Sequence, residues 1–408
     1  MSNQFISDFR TIFTFYILTT TSPVSYSHLS ATIYAPEESN KYVPSHTKQA
    51  FYYFTRSLLL INFIQVVRLL ILNLWELHVN GSVEMFGLFS VIIWTGALTP
   101  VYCNDFILLK ENCLKSLFRS VDTCVNVLNR AKEHLGKETM SKILLKKSCQ
   151  IRCLMFHNLS IYFISIMNCM WSTYENIEND PTMLYQAIPW KNQWVDVIYW
   201  FILQVIAISI VMFWSLLLTF PGVVAYHFEC VIMALTKSVE DGPTSNYPLE
   251  AILKDYRVIE FGVRDLHQNG FSKMLIMFLA ASGIQLVIES FCVFQMIKHG
   301  VSWDVYQLFL LDAVFSLGCV FHELYALSRV DLASQMFFNS IQTHVTQQCN
   351  IQIGKGERFR SRREPLFKKI RLAKHILMRI GPLRCKQDLL FTSGSVYMDC
   401  FVSSALWP

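Results

Sequence analysis

Apolar residues fall in long blocks separated by charged ones, and each block is long enough to be a helix across a bilayer, for which about 20 residues suffice. The pattern predicts spans at 57–77, 84–106, 153–173, 195–219, 274–297 and 304–327, and a last one at 387–408. Arg68 lies inside the first, Glu289 inside the fifth and Asp312 inside the sixth. Between spans two and three, residues 113–135 keep apolar positions at helical spacing, so both helices are expected to run beyond the membrane. Pro221–Gly222 interrupts the fourth block, and the apolar pattern then resumes to Leu235. Leu366, Ile370, Ala373, Ile376 and Leu377 are expected to form the apolar side of an amphipathic helix outside the bilayer. Residues 1–50 are mixed and rich in Ser, Thr and Pro, and are expected to form a short terminal segment with surface or re-entrant helical pieces.

The last block differs from the others. Asp388, Thr392, Ser395, Asp399 and Ser403 follow at steps of four, three, four and four, which keep to one helical face. Leu390, Gly394, Tyr397, Phe401 and Ala405 take the opposite face. An acid near a bilayer centre costs about 2.5–3.5 kcal/mol on insertion scales, so Asp399 is expected to face protein or a water-filled cavity. Two readings fit: a pore-lining helix, or a last helix whose polar side packs into a bundle.

Composition agrees with a polytopic membrane protein. The 408 residues are 53% hydrophobic and only 16% charged, with a mean hydropathy of +0.34; soluble domains carry about 25% charged residues. No basic start followed by an apolar run and a small-residue cleavage site appears near the amino terminus. Lys and Arg gather in 110–152, 237–273 and 329–386, whereas 78–83, 174–194 and 298–303 hold only Lys191 and Lys298. Basic loops stay in the cytoplasm, which sets the amino terminus inside and the carboxyl terminus outside. The Asn80-Gly81-Ser82 sequon then falls in an outside loop, making Asn80 a glycosylation candidate.

This orientation and the motifs exclude several classes. G-protein-coupled receptors keep the amino terminus outside, and no Asp-Arg-Tyr or Asn-Pro-x-x-Tyr sequence occurs here. Two matching halves with broken helices, as in transporters, are not visible. No Gly-rich phosphate loop, His-Glu metal motif or Gly-x-Ser-x-Gly elbow points to an enzyme, a cofactor or a metal, and nothing suggests nucleic acid. His157, His227, His267 and His322 read as isolated interfacial residues. Cys149 and Cys153 bracket three residues without a partner pair at zinc spacing, and most of the twelve cysteines read as small core residues.

Three stretches resemble the insect odorant and gustatory receptor superfamily. They are AIPWKNQWVDVIYWFILQVIA (187–207), LKDYRVIEFGVRDLHQNGFSKMLIMFLAASGIQLVIESFCVF (253–294) and GPLRCKQDLLFTSGSVYMDCFVSSAL (381–406). Where the gustatory branch carries Thr-Tyr and Gln-Phe near the end, this chain has Asp399-Cys400, so it is closer to the odorant branch. The resemblance implies an all-α membrane protein with seven transmembrane helices. It implies a ligand-gated, non-selective cation channel that assembles as a homo- or heterotetramer, alone or with an odorant co-receptor, in the plasma membrane of a sensory neuron.

It further implies an arrangement of parts. Residues 1–50 are a cytoplasmic segment. Residues 51–328 hold helices one to six, with a ligand pocket in their outer half. A cytoplasmic anchor occupies 222–272 and 330–380, and 381–408 carries the pore helix. The pocket positions are Phe86, Phe89, Met167, Met170, Trp171, Tyr199, Leu203 and Tyr306, which suit a small apolar odorant or tastant. The pore positions are the polar stripe together with Val402 and Leu406 at the narrow outer part. The alternatives are a non-conducting accessory subunit and a G-protein-coupled-type receptor.

Overall fold

A computed structural model describes individual helical positions between 46 and 75, residues 113–179, 221–298 except Ser245, 303–352, Ile376, and residues 379–380 and 383–384. Side chains of some helical residues, chiefly in 158–179 and 277–319, are outside the description. Among the described residues the chain is helical. We label the helices α1 (Cys113–His134), α2 (Lys137–Asn179), α3 (Pro221–Glu240), α4 (Leu249–Leu266), α5 (Ser272–Lys298) and α6 (Trp303–Gln352). One small departure from an all-α chain is a two-residue antiparallel pair, β1 (Arg379–Ile380) with β2 (Leu383–Arg384), which brackets the Gly381–Pro382 step.

Helices α2 and α6 are longer than a bilayer requires; α2 carries the third apolar block well past the membrane length, and the second block lies outside the described residues. At 1.5 Å per residue, α2 with 43 residues and α6 with 50 extend about 65 and 75 Å. The fifth and sixth apolar blocks, 274–297 and 304–327, open α5 and α6 within two residues of their observed starts. The sixth block does not mark the end of α6. Beyond it Val330, Ala333, Phe337, Ile341 and Val345 repeat at three or four residues and are all buried, so the helix continues on an apolar seam through a region rich in polar residues.

Contacts fix the relative directions. Ser116 donates to Asp265 at 2.7 Å, Ser120 to the Gly262 carbonyl at 3.1 Å, and Arg130 to Asp255 at 2.6 and 3.0 Å, so α1 and α4 run antiparallel. Helix α3 is antiparallel to α2, since Gly222 meets Leu154 and Glu229 meets Lys146 and Gln150. It is parallel to α6, since Tyr226 pairs with His322, Glu229 with Arg329 and Glu240 with Ser340. Third, fourth and sixth spans would have these senses.

One core, drawn from α1, the first turns of α2, α3, α4, the start of α5, the second half of α6 and Ile376, gathers most of the buried apolar side chains. Helix α3 sits inside it. Among the described residues it is the only helix both long and apolar enough to cross a membrane, yet 89% of its most apolar stretch is buried by protein. That explains the resumption of apolar residues after Pro221.

The passage from α4 to α5 is a π turn over His267–Phe271. Gly270 there has φ 101°, a left-handed conformation that L side chains resist. Asn269 secures the turn by donating to the Asp265 carbonyl at 2.8 Å and to its carboxylate at 3.1 Å.

Candidate functional site

The residues singled out from sequence fall unevenly. Asp388, Thr392, Ser395, Asp399, Val402, Ser403 and Leu406 of the stripe lie outside the described residues, as do Phe86, Phe89, Tyr199, Leu203 and Asn80. Met170 and Trp171 are in α2 and Tyr306 is in α6, with side chains outside the description. Met167 is described and is 58% exposed, on the outward face of α2. Within one chain it faces away from the bundle interior.

The described residues build two linked constellations that sequence reading did not anticipate. The first is a set of ion pairs inside the core. The Glu229 side chain is 3% exposed and accepts from Arg329 at 2.6 and 3.0 Å, from Lys146 at 3.2 Å and from Gln150 at 3.4 Å. One carboxylate on α3 thus joins α2 and α6. Burial is the largest single influence and opposes the charge on Arg329, but the hydrogen bonds and the charge of Glu229, with Tyr325 and Tyr226 nearby, together outweigh it and raise the Arg329 pKa. Asp255 of α4, 8% exposed, takes two bonds from Arg130 of α1 and one from the Tyr247 hydroxyl at 2.9 Å. Tyr247 also stacks on His134, with ring centroids 4.6 Å apart, so the turn between α3 and α4 is held against the end of α1. Near Glu229, burial and the adjacent Lys147 hold His227 neutral, well below the usual imidazole range.

The second constellation lies where α2, α3 and α6 converge. A Cβ on Gly222 would meet Leu154 Cδ2 at 2.6 Å and the Glu323 carboxylate oxygens at 2.9 and 3.0 Å. A Cβ on Gly318 would meet the His157 ring at 2.9 and 3.0 Å. Glycine at both positions lets the helices come this close. His157 and His322 are not isolated. Their rings meet edge-on at 6.1 Å, and His322 Nε2 is 2.9 Å from the Tyr226 hydroxyl. Glu323 is shut from water against Gly222. Only the separation of these residues in sequence concealed the cluster.

A third contact reaches toward the last helix. The Tyr256 and Ser334 hydroxyls are 2.5 Å apart, and the Ile376 amide donates to Ser334 at 2.9 Å and to Tyr256 at 3.3 Å. Ile376 is 2% exposed, and β1, three residues on, packs against α5. The approach to the stretch 387–408 is therefore pinned to α4, α5 and α6 at once.

Taken together, these features define a helical bundle with long helices that share a tightly tied polar-ended core. No protein-family model and no curated protein sequence matches the chain. Solved structures do. The insect olfactory receptor OR5 from Machilis hrabei, in complex with eugenol, superposes with a TM-score of 0.67 at 11% identity, covering 99% of this chain and 98% of that one. A second structure of the same receptor gives a TM-score of 0.69 at 11% identity, covering 98% of each chain. The chain has the insect olfactory receptor fold, as its three stretches of resemblance led us to expect.

Proposed function

We propose that the chain is a chemosensory receptor subunit that opens a cation-conducting pore when a small, largely apolar odorant or tastant binds among its outer helices. The observation carrying this reading is the likeness of fold over nearly the whole chain, 99% of it, to an olfactory receptor solved with eugenol. The polar stripe of the last block supports it. Four such helices around an axis would set rings of carboxylate from Asp388 and Asp399, which favour cations over anions. The chain would cross the membrane seven times with its amino terminus in the cytoplasm, so that the tied core lies on the cytoplasmic side as an anchor between subunits. Asn80 would carry an outside glycan. The pocket would draw on Phe86, Phe89, Met170, Trp171, Tyr199, Leu203 and Tyr306, with Met167 at its lipid-facing margin.

The test is a current recorded from cells expressing the chain alone and with an odorant co-receptor. In a Cys400→Ser background, Ser395→Cys, Asp399→Cys, Val402→Cys and Ser403→Cys should react with water-soluble thiol reagents, faster in the presence of ligand. Leu390→Cys, Tyr397→Cys and Phe401→Cys should not react. Asp399→Asn should lower cation permeability. Uniform labelling around the helix would remove the pore assignment, and absence of current in both settings would leave a non-conducting accessory subunit.

A further inference from the structure

The outward face of α2 changes character along its length. Lys142, Leu145 and Lys146 come first, Cys149, Arg152 and Cys153 follow, and Phe156 and Met167 come last, all exposed. Lys142, Lys146, Cys149, Cys153 and Phe156 follow at steps of four, three, four and three, Met167 lies eleven residues (about three turns) on, and Leu145 and Arg152 flank this row. Phe156 is 74% exposed and Met167 58%, and aromatic and Met side chains left open at this level suit acyl chains rather than water. The two thiols stand where cationic residues give way to apolar ones along this face.

Cys149 and Cys153 also differ from the other described free thiols. Cys113, Cys124 and Cys230 are buried. The Cys153 thiol pKa is raised as those of Cys230 and Cys124 are, so access and not acidity sets the pair apart. Cys149 and Cys153 are exposed, one turn apart. Packing on a neighbouring helix accounts for a buried cysteine. It does not account for an exposed pair at a charge boundary. Lys146, held by Glu229, fixes the helix face just below them. Among the described residues no group of three metal-ligating side chains includes them.

We propose that Cys149 and Cys153 form an acceptor site for long-chain fatty acyl groups, held as thioesters at the cytoplasmic surface of the membrane. The donor is a fatty acyl-coenzyme A, acting through a membrane acyltransferase. The cysteine sulfur attacks the acyl carbonyl, its new carbon–sulfur bond forms as the bond to coenzyme A breaks, and the thiol proton leaves with the coenzyme A thiol. No redox change occurs, and hydrolysis returns the free thiol. The attached chain would lie along Phe156 in the inner leaflet and fix the depth of α2. This inference rests on the reading of α2 as a membrane-crossing helix with its lysine-rich end in the cytoplasm.

The full-length chain is expressed in insect cells fed an alkynyl analogue of palmitate, and membranes are washed with alkaline carbonate. The chain should remain in the membrane fraction and carry label that hydroxylamine removes. Exchange of hydroxylamine-released thiols for a mass tag on the unaltered chain should add one or two tags. Cys149→Ser and Cys153→Ser should each keep part of the label, and the double variant should lose it while eluting as a folded particle. A membrane-bound chain without hydroxylamine-sensitive label overturns the acylation site and leaves the membrane reading standing. Label undiminished in the double variant overturns it equally. A chain washed from the membrane overturns both.

Discussion

Helices α4 and α5 are consecutive, joined through the π turn at His267–Phe271, yet they follow opposite rules. Helix α4 buries Ile252, Tyr256, Ile259 and Val263 and turns Glu250, Lys254 and Arg264 outward, with Val258 and Phe261 among them. It is amphipathic in the manner of a helix in water. Helix α5 turns Ile276, Ala280, Gly283 and Val287 outward at steps of four, three and four, and keeps its lysines, Lys273 and Lys298, at the two ends. Exposed positions in the first span carry the same signature: Leu60, Ile64, Ile71 and Trp75 are between 48% and 68% exposed on one helical face. Degree of burial does not separate the two environments. What separates them is charge: α4 carries charged residues along its outward face beside Val258 and Phe261, whereas the described outward positions of α5 between Lys273 and Lys298 carry none.

The two regions also hold together differently. In the core around α3, Glu229 and Asp255 are buried with several partners each. Removing one partner of such a set leaves the others desolvated without compensation, which costs about 3–5 kcal/mol. Glu229→Ala strands Arg329, whose side chain is 17% exposed, and releases α2 and α6 together. We expect it to have the largest effect, a loss of folded particle in detergent or a large drop in melting temperature. A melting temperature within a degree or two of the unaltered chain would show that α3 is held by apolar packing alone.

A sharper test applies one substitution to both regions. Phe261 on α4 is 68% exposed and Val287 on α5 is 46% exposed. If α5 faces lipid, Val287→Lys meets a penalty of about 2.5–3.5 kcal/mol, reduced where the side chain can snorkel. If α4 faces water, Phe261→Lys should change stability by only about 0.5 kcal/mol. Membrane yield and melting temperature measure both. Equal tolerance would erase the distinction between the helices. Loss of assembly on Phe261→Lys, with the single chain still folded, would place a subunit contact on that face.

How far the sequence led depends on the range of each interaction. Starts of α5 and α6 were legible because an apolar run is a local feature. The far end of α6 was hidden, since ten basic residues from Lys355 to Arg379 dominate the reading of 329–386, although Val330, Phe337, Ile341 and Val345 keep the helical period. The seam of α1 on α4 and the knot at Glu229 were not legible. Lys146 and Arg329 are 83 and 100 residues from Glu229, and nothing local distinguishes them from solvated charges. His157 and His322 looked isolated for the same reason. The polar stripe of 387–408 was legible as a period, but its facing requires residues beyond those described.

The smallest expected effect on stability bears most closely on function. Tyr256→Phe keeps the stack on Phe337, at 4.3 Å between centroids, and removes only the hydroxyl that meets Ser334 and Ile376. One such hydrogen bond contributes about 0.5–1.5 kcal/mol, because water competes for its partners in the unfolded chain. Ser334 still accepts from the Ile376 amide, so the fold should survive with a melting temperature only slightly lowered. Tyr256→Phe combined with Ser334→Ala strands that buried amide and should cost more than the sum of the single changes. Ile376 stands eleven residues before Gln387, where the polar-striped stretch begins. If this contact transmits helix movement to that stretch, the double variant should keep ligand binding but shift the ligand concentration needed for half-maximal current. If stability falls and the current–concentration curve stays in place, the contact anchors the chain without taking part in gating.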